Sequence, residues 1–130
     1  SDVVLVGIGI GIAPIRALLE ETSFDPGHAT VIVRASTLEQ VYLGREIDAL
    51  CRAKGARLIV LVGRRGLTRA GTPSWLPATH AGLTLADLVG PLADADVYVC
   101  GPSAAADLVL ADARAAGVGD HRLHHERFSW

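Results

Sequence analysis

No run of eighteen apolar residues occurs in this 130-residue chain, so nothing in it reads as a membrane-spanning helix. Lysine is almost absent: of the twelve basic side chains only Lys54 is one. Set against fourteen acidic residues they leave a formal charge of −2, which argues against broad binding to nucleic acid or to a membrane surface. Cysteines number two, Cys51 in a predicted helix and Cys100 at the end of a predicted strand. They are too few for a disulfide framework, and a reducing, cytoplasmic setting is the default. There is no internal repeat and no low-complexity tract. Neither a charged leader nor a cleavage site precedes the first strand, and so abrupt an entry is expected of a segment cut from something longer. What remains is half hydrophobic, enough to bury one sizeable core in one domain.

The chain is organised around its start. Val3-Val4-Leu5-Val6 reads as a fully buried strand, Gly7, Gly9 and Gly11 force a tight turn, and Pro14 stands where the first turn of a helix tolerates it. Glycine at Gly9 and Gly11 removes Cβ atoms that would keep a ligand off the backbone, and the unpaired N–H groups of the helix start favour a phosphate there. The dinucleotide fingerprint G-x-G-x-x-G fails in either register, because Ile12 or Pro14 stands where it needs glycine, and the Lys-Ser/Thr phosphate pattern is absent. A turn that merely packs closely is the bland alternative.

Further strands are predicted at 29–34, 57–62, 96–100 and 121–126. Helices follow the first three and the 96–100 strand, one behind a capping box at Ser36-Thr37-Leu38-Glu39 and a short one at 84–89. Residues 67–82 show little periodicity and read as a long loop around Trp75. Apolar strands alternating with helices make a three-layer, doubly wound, five-stranded parallel sheet of the α/β class. Ligands bind such sheets at the carboxyl ends of strands where the winding reverses. If the first and fourth strands are neighbours, the turns at Gly9-Ile10-Gly11 and Cys100-Gly101-Pro102 border one crevice.

Arg34 ends the second strand and Arg64-Arg65 follow the third, so all three guanidinium groups are expected at the ligand edge, where they suit a phosphate. Ordinary solvated arginines are the alternative. No acid follows the second strand to read a ribose 2′-hydroxyl, which tilts towards a phosphorylated ribose. Cys100 reads either as a small buried hydrophobe or as a residue beside the crevice. His121, His124, His125 and Glu126 resemble a metal cluster on paper. On a strand, however, His121 and His125 would share one face about 13 Å apart and the other two the opposite face, so no metal site is expected. Phe128 and Trp130 are either a docked tail or a surface for a planar ligand or partner domain.

Together these residues resemble the NAD(P)H-binding domain of the ferredoxin–NADP reductase family. Gly9-Ile10-Gly11-Ile12-Ala13-Pro14 is similar to its Gly-x-Gly-Ile-Thr/Ala-Pro, Cys100-Gly101-Pro102 to its Cys-Gly-Pro, and His124-His125-Glu126-Arg127-Phe128 to its His-x-Glu-x-Phe tail. The resemblance covers essentially the whole chain. It is nearest to bacterial ferric-reductase-like membrane flavoproteins through Arg34-Ala35-Ser36 and Leu43-Gly44-Arg45-Glu46-Ile47. It implies that Gly9 to Pro14 hold the pyrophosphate, that Cys100 lies beside the nicotinamide, that Glu126 belongs to the polar set near the hydride path, and that the terminal aromatic lies over the flavin. Gly63-Arg64 after the third strand keeps the arginine of the family's NADPH users without their serine, which favours NADP over NAD. The flavin, FAD or FMN, would be held mainly by an upstream barrel domain that nothing here matches, with a membrane haem-type domain before it in the ferric-reductase relatives. The expected role is hydride transfer from NAD(P)H to that flavin, for reduction of ferric iron or another acceptor, with the isolated chain inactive. A non-catalytic nucleotide sensor of the same fold is the alternative.

Overall fold

The computed structural model describes residues 2–41 and 43–128, the last two by their backbone alone. Five strands form one parallel sheet: β1 (Val3–Ile8), β2 (Ala29–Ala35), β3 (Arg57–Val62), β6 (Asp96–Pro102) and β7 (Leu123–Phe128), in the order β3-β2-β1-β6-β7. Two short strands, β4 (Arg65–Leu67) and β5 (Pro73–Pro77), pair separately as an antiparallel hairpin. The helices are α1 (Ile12–Glu21), α2 (Gly44–Lys54), α3 (Leu85–Val89) and α4 (Ser103–Ala115).

The near-continuous apolar character of the central strands is explained by cover on both faces. Alternate residues of β1 divide between two cores: Val3 and Leu5 join Ile12, Ile15 and Leu19 of α1 and Ile47 and Cys51 of α2, whereas Val4 and Val6 join Leu85 of α3, Val109 and Leu110 of α4, and Trp75 and Leu76 of β5. The chain winds outward from β1 through β2 to β3, then returns to place β6 on the other side of β1, with Gly7 opposite Cys100. The winding therefore reverses between β1 and β6, which opens a crevice at their carboxyl ends.

Three local expectations are corrected. Residues 67–82 are not a structureless loop, because the β4–β5 hairpin sits there and buries Trp75, Leu76 and Ser74. No capping box forms at Ser36. Leu38–Gln40 is a 3₁₀ turn, the Gln40 side chain accepts from the Ser36 N–H (3.0 Å), and α2 begins only at Gly44, behind Leu43 in the left-handed region (φ 63°). The last strand starts at Leu123, since Asp120–Arg122 is a 3₁₀ turn that takes His121 out of it. A capping box forms instead at the short helix, with Thr84 and Asp87 as its two members.

Candidate functional site

The glycine turn after β1 has two different uses for its glycines. A Cβ on Gly11 would lie 1.8 Å from the Cys100 carbonyl oxygen, so α1 begins this close to β6 only because that atom is missing. Gly9 adopts φ 55°, and a Cβ there would meet nothing within 4 Å, so this glycine supplies a left-handed conformation on an open surface. Among the described residues no side chain caps the start of α1 or of α4, and neither has an acid in its first turn. Two helix N-termini, one after each strand of the switch point, thus turn uncompensated positive ends to the same edge of the sheet.

Beside them lies a cleft of about 390 Å³ bounded by Ile8, Gly9, Ile10, Arg34, Ala35, Ser36, Gln40, Arg65, Trp75, Pro102 and Ala105. Among the described residues that line it are two with guanidinium groups and none with a carboxylate. Arg34 is 3 % exposed, and its Nε donates to the Trp75 carbonyl (2.7 Å) while one terminal nitrogen donates to that of Ala35. Burial first, and then the neighbouring Arg65, hold its pKa below the ordinary arginine value. Two like charges kept together without an acid among the described lining residues make the cleft a receptor for an anion, with the exposed Arg65 guanidinium free to grip a phosphate while Arg34, two of whose nitrogens are already engaged, adds charge and its remaining N–H groups.

Of the expected site residues, Gly9, Ile10, Arg34, Arg65 and Pro102 bound the cleft; Gly11 and Ile12 at the start of α1 and Gly101 near the end of β6 are buried, and Ala13 and Pro14 are half-buried. Arg64 is exposed and is not among the lining residues. Cys100 is 1 % exposed and its side chain belongs to the core on the α1 side. Burial, with a smaller push from Glu126, raises its thiol to about 11, so near neutral pH it is an uncharged thiol and not a nucleophile. Glu126 is exposed and stands opposite Cys100 in the β6–β7 register. Phe128 pairs with Pro102 through its backbone. Its side chain, and the whole of Trp130, lie outside the described residues.

The histidines have separate surroundings. His124 stacks on Tyr98, with ring centroids 4.4 Å apart, and its Nε2 is 3.4 Å from Asp96; His121 and His125 are exposed. Among the described residues no three His, Cys, Asp or Glu side chains converge as metal ligands, and no helix is long and apolar enough to cross a membrane. Sequence reasoning missed Ile8, Ala35, Ser36, Gln40, Trp75 and Ala105 as cleft residues. Only Trp75 carried a signal, as a lone aromatic in an otherwise small-residue segment.

With this geometry the chain has the fold of the nucleotide-binding domains of ferredoxin-reductase-type flavoproteins. No family model and no curated relative matches it. Among solved structures it is similar to the flavohaem-like FAD/NAD-binding domain of nitric oxide dioxygenase from Vibrio cholerae O1 biovar El Tor (25 % identity, TM-score 0.69, covering 97 % of this chain and 50 % of that one). Two others match at the same TM-score of 0.69: a flavohaemoglobin from Malassezia yamatoensis with bound FAD and haem (22 % identity, 99 % and 32 % covered) and an Amycolatopsis cytochrome P450 reductase (20 % identity, 98 % and 38 % covered). The chain spans half or less of the length of each of these structures.

Proposed function

We propose that this chain is the NAD(P)H-binding module of a flavin-dependent oxidoreductase and that it prefers NADPH. The observation that carries the reading is the cleft at the β1–β6 switch point, where two uncapped helix N-termini and the Arg34–Arg65 pair meet with no acid among the lining residues. The residues fit a dinucleotide phosphate. Gly9 and Ile10 offer backbone that a pyrophosphate can approach, and Arg34 and Arg65, with the polar groups of Ser36 and Gln40, suit a phosphorylated ribose. When both cofactors are bound, the nicotinamide supplies a hydride and the flavin accepts it.

The chain's own part is positioning. Gly101 and Pro102 form the floor beside which the nicotinamide would lie, Cys100 beneath them holds that floor as a packed, uncharged residue, and Glu126 is the one acid in register with it. The flavin, FAD or FMN, would be held by an adjoining barrel domain outside this sequence, with the terminal aromatic Trp130 against it. Kinship with the ferric-reductase branch, including a membrane haem-type domain and ferric iron as acceptor, rests on the sequence motifs alone.

The test is calorimetry of NADP⁺ and NAD⁺ with wild type, Arg65→Ala and Arg64→Ala. A charge-assisted phosphate contact is worth about 1.5–3 kcal/mol, so Arg65→Ala is expected to weaken NADP⁺ roughly ten- to hundredfold and leave NAD⁺ nearly unchanged. Arg64, outside the cleft, should matter less. Equal loss of both nucleotides in Arg65→Ala would contradict the 2′-phosphate role, and no binding of either to wild type would contradict the function.

A further inference from the structure

The two outer edges of the sheet are built differently. β7 carries two histidines, Glu126 and Arg127, charged and polar residues of the kind that discourage another strand from pairing. β3, at the opposite end of the strand order, reads Arg57-Leu58-Ile59-Val60-Leu61-Val62. It has no proline, no lysine and no interior charge, and among the described residues it pairs only with β2. Its middle residue Val60 is 45 % exposed. A six-residue apolar edge left open in this way is a template for one more strand.

Charge says what kind of strand. Residues 49–86 hold Arg52, Lys54, Arg57, Arg64, Arg65 and Arg69 and no aspartate or glutamate, so half of the basic residues fall in a stretch without an acid, in a chain whose net charge is negative. Arg57 stands at the start of β3 and Arg64 and Arg65 follow its end. Among the described residues none of the three has a carboxylate partner. Arg57 donates to the Leu88 carbonyl, which holds it at the strand's lower end.

We propose that the open edge of β3 is a docking strand for an extended, acid-flanked segment of a partner protein, whose backbone extends the sheet and whose carboxylates meet Arg57 at one end and Arg64 at the other. A second copy of this chain fits worse. Two β3 strands paired antiparallel about a two-fold axis would bring Arg57 of each beside the Arg64-Arg65 end of the other, like charge against like.

The experiment uses this chain and a labelled peptide of alternating valine and threonine with Asp-Glu at both ends, beside its twin with Lys-Arg ends, read by fluorescence anisotropy and by amide exchange. The acidic peptide is expected to bind, more weakly at high salt, and to slow exchange of β3 amides; the basic twin should not bind. Arg57→Glu should weaken the acidic peptide about tenfold, the scale of one to two exposed ion pairs with sign reversal. Val60→Lys, a surface change whose fold is checked by its melting temperature, should abolish the β3 protection. Failure of the acidic peptide to bind, or equal binding of both peptides, would overturn the proposal. So would equal β3 protection by an oligonucleotide, which would make the face a general polyanion surface, or a dimer in sedimentation that Val60→Lys dissolves.

Discussion

Adding one methyl group at Gly11 tests how the cleft is assembled. In Gly11→Ala the new Cβ would start 1.8 Å from the Cys100 carbonyl oxygen, 2.2 Å from its carbonyl carbon and 2.7 Å from the Gly101 nitrogen. All three are backbone atoms of a central strand that no rotamer change can move aside. The start of α1 and the end of β6 would have to part by about 1.2 Å to reach even the tightest tolerable contact, opening the packing of Ile12 and Ile15 against β1. Overpacking of this kind costs about 3 kcal/mol or more, which for a domain of this size lowers the melting temperature by roughly 10 °C. The control is Gly9→Ala, two residues away. Its Cβ meets nothing, so the cost is the left-handed φ of 55°, about 1 kcal/mol. Urea unfolding of both variants and NADP⁺ calorimetry of Gly9→Ala give the comparison. Gly11→Ala should fail mainly in stability, whereas Gly9→Ala should stay folded and bind nucleotide more weakly. A Gly11→Ala midpoint within error of wild type would refute the argument.

Two further outcomes follow from polar contacts away from the cleft. Lys54 is the only lysine; its ammonium donates to the carbonyls of Leu19, Glu20 and Thr22 at the end of α1 and lies 5.0 Å from the centre of the Phe24 ring. Lys54→Met keeps the stem and removes that charge from the helix C-terminus, so thermal denaturation should show a loss of about 1–2 kcal/mol. Asp87 accepts from the Thr84 N–H and hydroxyl, contacts that hold its pKa below the usual carboxylate value. Because the folded value is the lower one, this support is complete above the unfolded pKa of about 3.9 and is lost as the pH falls through the folded value. NMR titration should find Asp87 depressed in wild type and only partly relieved in Thr84→Val, which loses the hydroxyl contact but keeps the larger one from the backbone N–H, and an unshifted wild-type carboxylate would count against both contacts.

The sheet was legible because β1, β2 and β6 are runs of apolar, mostly β-branched residues too short for buried helices, separated by turns that the glycines mark. The hairpin was not. Prolines at both ends of β5 are loop signals in sequence, and β4 is three residues with an irregular register, so the hairpin shows only in the pairing of Arg65 with Pro77 and of Leu67 with Pro73 and in the burial of Trp75. The arginines were legible as a basic group at the right edge but not by role. Arg34 was expected as a strand-end ligand residue; it also fastens the hairpin through the Trp75 carbonyl, a contact 41 residues away. Between Arg64 and Arg65 the resemblance pointed to Arg64, whereas Arg65 is the one that lines the cleft, because Gly63 at φ 138° turns the chain out of β3 before either side chain is set. The box at Ser36 failed because a residue one position beyond it, Gln40, took the Ser36 N–H instead.

If a phosphorylated dinucleotide binds in the switch-point cleft, amide chemical-shift mapping of this chain titrated with NADP⁺ should show it. Saturable shifts are expected at Gly9, Ile10, Ser36, Gln40, Arg65 and Ala105, around the cleft that Arg34 and Trp75 line. Shifts grouped instead at the opposite end of the strands, around His28, Arg52 and Arg57, or no saturable shift at all, would contradict that reading.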